Sequence, residues 1–289
     1  MSMTLAQMNQ VTSEDFVSDP FNNPAIHTEP VSNVERTARK KLGPLGFVFG
    51  LLKRIPFLGV QKILDFERDV QEMSTGEEVA QWWSDRLTLD LEVEGLEHIP
   101  AKGPMMFFGN HATGIGDGIA TFDALKSRRD LKLAYLMNAQ GLESTTAISD
   151  LAVPVKLKGG DRDSDDKDVL WQKIDAAVAE QRALFLFPAG RVMKPSKPWQ
   201  RKLVEEPWKP GVITIPQRFP DMPVIPFRIE ARNRSYSYWL GHFIPVLKDI
   251  LLYTEFHTKK NAKYKVTFLP PQRFDNVEDA RAAVLGKGE

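Results

Sequence analysis

The spacing of apolar positions changes repeatedly along this chain, and the changes mark out its elements. From Leu64 to Arg86 the residues Leu64, Val70, Met73, Val79, Trp82 and Trp83 suit one face of a helix, with a break near Ser74-Thr75-Gly76. Leu87–Val93 (LTLDLEV) then alternates apolar with polar, the pattern of a half-buried strand. Pro104–Phe108 is a short apolar run that ends in Gly109-Asn110 and reads as a buried strand entering a loop. Helical character over Ile119–Leu125 is followed by strand character over Leu131–Met137 and again over Val153–Leu157. A long helix is predicted from about Lys167 to Gln181, then buried strands at Ala183–Phe187 and Pro223–Ile229. Tyr264–Leu269 alternates once more, and a short helix over Val277–Val284 closes the chain. Strands alternating with helices from residue 87 onward predict an α/β domain whose sheet is covered on both faces. In such folds, sites form in the loops at the carboxyl ends of strands.

Before residue 87 the picture is different. The first thirty residues are polar, contain Pro20, Pro24 and Pro30, and read as a poorly ordered tail, assigned here to 1–33. Residues 34–86 form a helical segment whose first half is basic. Arg36, Arg39, Lys40, Lys41, Lys53, Arg54 and Lys62 stand against Glu35 alone and flank the apolar stretch that holds Phe47 and Phe49. Cations beside an aromatic-containing apolar segment suit the surface of an anionic bilayer, where each is worth about 1 kcal/mol. The same pattern also fits a helical pair packed on the domain with its charges solvated. Residues 87–289 make up the α/β domain.

Composition narrows the chemistry. The 289 residues carry zero formal net charge, so bulk electrostatics give no reason to expect a nucleic-acid partner. Cysteine is absent, which removes disulfides, thiolate metal sites and cysteine nucleophiles. No apolar run reaches the roughly 18 residues of a spanning helix, and the N-terminus lacks a signal-peptide layout. A peripheral protein on the cytoplasmic face of the inner membrane is the expectation. Asp161, Asp163 and Asp165 imitate a calcium loop, but its sixth position is Asp166 where glycine belongs and its twelfth is Gln172 where glutamate belongs. No metal is expected.

Two loops carry unusual residues. The first is Asn110-His111-Ala112-Thr113-Gly114-Ile115-Gly116-Asp117-Gly118, directly after the MMFFG strand. A histidine at a strand end, with an acid at the start of the next helix, can form a dyad: the carboxylate holds one imidazole nitrogen and leaves the other as a general base. Asn110, Gly114 and Gly116 shape this loop. A loop histidine with Asp117 acting only as a helix cap is the plainer reading. The second loop is Phe187-Pro188-Ala189-Gly190-Arg191-Val192-Met193-Lys194. Gly190 and Arg191 there present a turn and a guanidinium fork suited to an anion such as phosphate, and a plain turn with a solvated arginine fits the loop equally well.

Together these blocks make the chain resemble the glycerolipid and lysophospholipid acyltransferase family (1-acylglycerol-3-phosphate acyltransferase-like), marked by an NHxSxxD-type block and an FPEG-type block. NHATGIGDGIATFDAL matches the first and LFLFPAGRV the third; VKLKGGDR (155–162) and MPVIPF (222–227) stand where the second and fourth blocks belong. The resemblance spans roughly residues 87–275. It implies a mixed, largely parallel sheet flanked by helices and a transfer of a fatty acyl group from acyl-CoA or acyl carrier protein to a hydroxyl of a lysolipid. It further implies His111 and Asp117 as the catalytic pair, Asn110, Gly114 and Gly116 as loop residues that could face an oxyanion, and Arg191, Gly190, Lys156, Lys158 and Lys194 as the acceptor-binding set, with no bound cofactor. The sequence departs from the common pattern in two places. Five residues separate His111 from Asp117 where four are usual, and Ala189 replaces the glutamate of the FPEG block. Both departures resemble a bacterial subgroup labelled hemolysin or ornithine-lipid type. A lipid-binding module of the same fold without turnover, or a thioesterase using water, would share much of this pattern; a mere binder, however, has no need of a base.

Overall fold

The computed structural model describes residues 54, 65–66, 68–70, 73–128, 130–138, 146–155, 164–197, 199–235, 238 and 259–286. The expected tail at 1–33 and the membrane candidates Arg39, Lys40, Lys41, Phe47, Phe49 and Lys53 lie outside these residues, as do Lys156 and Lys158; Arg54 is described and exposed.

A helix from Gly76 to Leu87 (α1) starts where the sequence broke its pattern. Thr75 caps it, accepting the Glu78 N–H at 3.2 Å, while the Glu78 carboxylate accepts the Thr75 N–H in return. This reciprocal box satisfies two helix-end donors. The helix runs on to Leu87, across the expected boundary at 86/87, and Val79, Ala80, Trp83 and Leu87 pack with Ile119, Ile148 and Leu151 of the α/β unit.

Seven strands form the main sheet: β1 (Asp90–Glu94), β2 (Met105–Gly109), β3 (Leu133–Asn138), β4 (Ala152–Val155), β5 (Ala183–Leu186), β8 (Val224–Glu230) and β9 (Lys263–Phe268), in the order β1-β9-β8-β2-β5-β3-β4. A two-stranded antiparallel ribbon, β6 (Lys194–Pro195) and β7 (Leu203–Val204), interrupts them in sequence. Every neighbouring pair of the main sheet is parallel except β8 with β9, so β1 and β9 run against the other five. Among the described residues, further α-helices are α2 (Ile115–Ala124), α3 (Ser164–Ala179), α4 (Gly211–Arg218) and α5 (Val277–Leu285). The mixed, largely parallel sheet flanked by helices is thus the observed architecture.

The alternation of β2 divides the core. Met105 and Phe107 face one side, with Phe185, Phe227, Val266 and Phe268, and α2 covers them through Ala120 and Ala124. Met106 and Phe108 face the other, under Ile174 of α3, Val212 and Ile215 of α4, and Ala280 and Val284 of α5. All five residues of β2 are buried, as expected of a central parallel strand covered on both faces. Phe107 stacks on Phe185 at 4.5 Å between ring centroids, tying the two strands that bear the unusual loops.

Chain direction around β2 sets the place of the site. From β2 the chain passes through α2 to β3 on one side; from β5 it passes through the ribbon and α4 to β8 on the other. The loops after β2 and β5 therefore leave in opposite directions over opposite faces, which makes the carboxyl ends of these adjacent strands a topological switch point, the place where a ligand crevice is expected in such a sheet.

Candidate active site

His111 leaves the end of β2, and Asp117 lies in the first turn of α2. Gly114, at φ 102°, makes the turn between them in a conformation that favours glycine. The His111 Nδ1 and Asp117 Oδ2 are 2.9 Å apart. Asp117 is fully buried, yet its carboxylate is surrounded by donors: the Thr113 N–H at 2.9 Å, the Thr113 hydroxyl at 2.7 Å and the Gly114 N–H at 3.1 Å. A buried charge is tolerable only with such compensation. The capping role and the dyad role are therefore filled by one carboxylate, and the extra residue in the His–Asp spacing is absorbed by the Thr113-Gly114 turn. As acceptor for Nδ1–H, Asp117 selects the tautomer that leaves Nε2 with its lone pair. Nε2 has no hydrogen-bond partner among the described residues, and the side chain keeps 20% exposure.

The second loop supports the first. The Phe187 ring stacks on the His111 imidazole with centroids 4.5 Å apart and planes 24° from parallel. The Met193 N–H donates to the His111 carbonyl at 2.7 Å. Beyond the ribbon, buried Glu205 accepts the His111 backbone N–H at 2.7 Å and the Trp208 indole N–H at 2.7 Å. Burial pushes the Glu205 carboxyl above the ordinary glutamate range, opposed by these two donors. The catalytic candidate is thus held at its ring face, its Nδ1, its N–H and its carbonyl.

Several expected ligand contacts are redirected. The Asn110 amide does not face the crevice as an oxyanion donor; it brackets Ile229 of β8, donating to its carbonyl at 2.8 Å and accepting its N–H at 2.7 Å. The Gly114 N–H is occupied by Asp117, and the Gly190 N–H by the Phe187 carbonyl at 2.9 Å. Gly116 owes its identity to packing: a Cβ there would lie 2.3 Å from the Tyr264 hydroxyl. Lys194 forms an exposed ion pair with Glu206 at 2.6 Å. Gly190 turns at φ 63°, and Arg191 after it is exposed with no hydrogen bond or ion pair among the described residues. Trp208 is buried and Trp199 is 70% exposed, so of these two tryptophans after the Arg191 loop one lies in the core and the other at the surface.

Sequence reasoning missed Phe187 as a stacking partner, along with Glu205, Tyr264 and Lys259. Glu205 sits in an ordinary polar stretch (LVEEPWKP), and nothing in its spacing distinguishes it from Glu206. Among the described residues no three histidine, aspartate or glutamate side chains converge as metal ligands would.

A His–Asp pair at a strand end of an α/β sheet suits general-base chemistry, and comparison with known proteins shows what the chain around it is similar to. Residues 90–230 match the family model described as Acyltransferase, a span that runs from β1 through β8 and contains both loops. Over that span, a little under half of its length, the chain is similar to the acyltransferase family. Lyso-glycine lipid O-acyltransferase of Bacteroides thetaiotaomicron is 27% identical over 198 residues, covering 65% of this chain and 69% of that protein. Its namesake from Phocaeicola vulgatus is 25% identical over 201 residues, covering 66% of this chain and 68% of that one. The solved structure of 1-acyl-sn-glycerophosphate acyltransferase PlsC from Thermotoga maritima is 17% identical, with 87% of this chain and 91% of that chain covered at a TM-score of 0.41.

Proposed function

We propose that this protein transfers a fatty acyl group from an acyl-CoA or acyl carrier protein thioester to the hydroxyl of a lysolipid. The observation that carries the reading is the His111–Asp117 pair, with Nδ1 held, Nε2 without a hydrogen-bond partner among the described residues and the side chain partly exposed. Nε2 takes the proton of the acceptor hydroxyl as its oxygen attacks the thioester carbonyl carbon. The tetrahedral intermediate collapses to the new ester, the C–S bond breaks, and the imidazolium returns its proton to the departing thiolate. Asp117 keeps Nδ1–H in place throughout and offsets the charge that the ring gains. General-base catalysis of this kind contributes about 10²- to 10⁴-fold.

Arg191, exposed on the loop that supports the dyad, is the group to grip a carboxylate or phosphate on the acceptor. The two relatives are named for lyso-glycine lipid, which makes a lysolipid carrying an amino-acid head group the first acceptor to test. Peripheral attachment to a membrane brings the enzyme to such an acceptor. The 191–204 stretch favours it: five cations (Arg191, Lys194, Lys197, Arg201, Lys202), no acid, and the exposed Trp199. Among the described residues no helix is long and apolar enough to cross a membrane.

The test is purified protein with radiolabelled acyl-CoA and acyl carrier protein donors against a panel including lyso-glycine lipid, lyso-ornithine lipid and lysophosphatidate, beside His111→Ala. Transfer to a lysolipid that falls at least about 100-fold in His111→Ala is expected. Hydrolysis of the thioester at the same rate with and without lysolipid would instead make the protein a thioesterase.

A further inference from the structure

Behind Asp117 a hydrogen-bond chain continues away from the crevice to a buried lysine. The Thr113 hydroxyl that donates to Asp117 Oδ1 at 2.7 Å lies 2.8 Å from the Tyr264 hydroxyl, and the Tyr264 oxygen lies 3.2 Å from Lys259 Nζ. All four side chains are buried: Asp117 and Tyr264 at 0% and 2% exposure, Thr113 and Lys259 at 4% and 5%. Lys259 also donates to the Arg232 carbonyl at 3.4 Å, and its Nζ lies 5.4 Å from the centre of the Tyr264 ring.

Both ends of the chain set its direction. An ammonium only donates and a carboxylate only accepts. Lys259 therefore donates to the Tyr264 oxygen, the Tyr264 O–H donates to Thr113, and the Thr113 O–H donates to Asp117. On the other side of the carboxylate, His111 Nδ1–H donates to Oδ2. With the ends fixed, neither hydroxyl can reverse without breaking a bond. A chain polarised one way strengthens each of its bonds. Gly116 leaves the room it needs, since a side chain there would displace the Tyr264 hydroxyl.

The geometry points to Lys259, acting through Tyr264 and Thr113, as a positioning residue for the dyad: it is the charged end of a one-way relay that holds the Asp117 carboxylate with Oδ2 facing His111 Nδ1. The inference rests on the acyltransferase reading for its kinetic consequence, while its structural consequence stands apart from any substrate. Glu205, which accepts the His111 backbone N–H, is not part of the relay.

The experiment uses the full chain, one double variant and four single variants: Tyr264→Phe and Lys259→Met, which cut the relay at two points, and Thr113→Val against Thr113→Ser, which remove and keep its middle hydroxyl. With folding checked by circular dichroism, kcat for acyl transfer falls about 10- to 100-fold in the three cutting variants, within the range a misplaced catalytic group costs. KM for the acceptor stays within about twofold, and Thr113→Ser stays near wild type. Because Lys259 and Tyr264 act in series, the Tyr264→Phe/Lys259→Met double variant loses no more than the worse single one, whereas independent packing defects would add. Nitrogen-15 NMR of labelled histidine then reads the ring directly: His111 is the Nδ1–H tautomer in the wild type and gains Nε2–H tautomer in the cutting variants. Unchanged kcat and unchanged tautomer in folded Tyr264→Phe and Lys259→Met would overturn the relay. A wild type that transfers nothing, with the tautomer shift still present, would leave the relay standing and bring down the acyltransferase reading instead.

Discussion

At the residue scale, His111 depends on groups scattered over the chain. Its partner Asp117 was legible because histidine and acid lie one loop apart, at a strand end and a helix start. Glu205 was not, since its role depends on a ribbon returning it 94 positions later to the His111 N–H. Its raised carboxyl gives a pH signature. Below the ordinary glutamate value of about 4.3 both folded and unfolded chains hold the proton. As pH rises, the unfolded chain ionises first, so the stability this group lends is lost progressively until pH passes its folded value. Glu205→Gln removes that loss while keeping one acceptor. Urea unfolding across about pH 4 to 8 should therefore show the variant gaining on wild type as pH rises from the ordinary glutamate value. A difference that stays flat would mean burial does not govern this carboxyl.

At the element scale, the strands and helices were readable wherever the period was strong. Met105–Gly109, Ala183–Leu186, Val224–Glu230 and Lys263–Phe268 each fall within a residue or two of the apolar runs that predicted them. The start of α2 was placed late, because Ile115-Gly116-Asp117-Gly118 has two glycines and little apolar repeat; the cap bonds to Asp117 begin the helix there. Helix α4 (GVITIPQR) was missed because Pro216 and its β-branched residues argue against helix, and burial of Val212, Ile213 and Ile215 overrides that preference. Close packing at the β2–β8 pairing yields a stability prediction. Gly109 pairs with Phe227, and a Cβ there would come within 2.5 Å of both its ring and its carbonyl oxygen. Gly109→Ala should cost about 1–3 kcal/mol by overpacking, read as a lower midpoint of chemical unfolding; an unchanged midpoint would mean that Phe227 can give way.

At the scale of the whole molecule, zero net charge conceals an uneven surface. The cations and Trp199 of the ribbon lie on the stretch that joins the Arg191 loop to Glu205, so contact there with an anionic bilayer would bring lipid close to the dyad. Vesicles containing phosphatidylglycerol should sediment the protein more than phosphatidylcholine alone, with the difference falling on added salt. Reversing Lys197, Arg201 and Lys202 to glutamate should reduce that difference; if it does not, the attachment lies elsewhere in the chain. What the sequence determined by itself was local: the elements, the two loops, and the His–Asp spacing, because each depends on residues a few positions apart. The tertiary structure alone decided what surrounds them. Strand β9 runs antiparallel to β8, so its first residues come to the carboxyl end of β8 and β2, bringing Tyr264 and Lys259 behind Asp117. No periodicity encodes that meeting, because it depends on which way a distant strand enters the sheet.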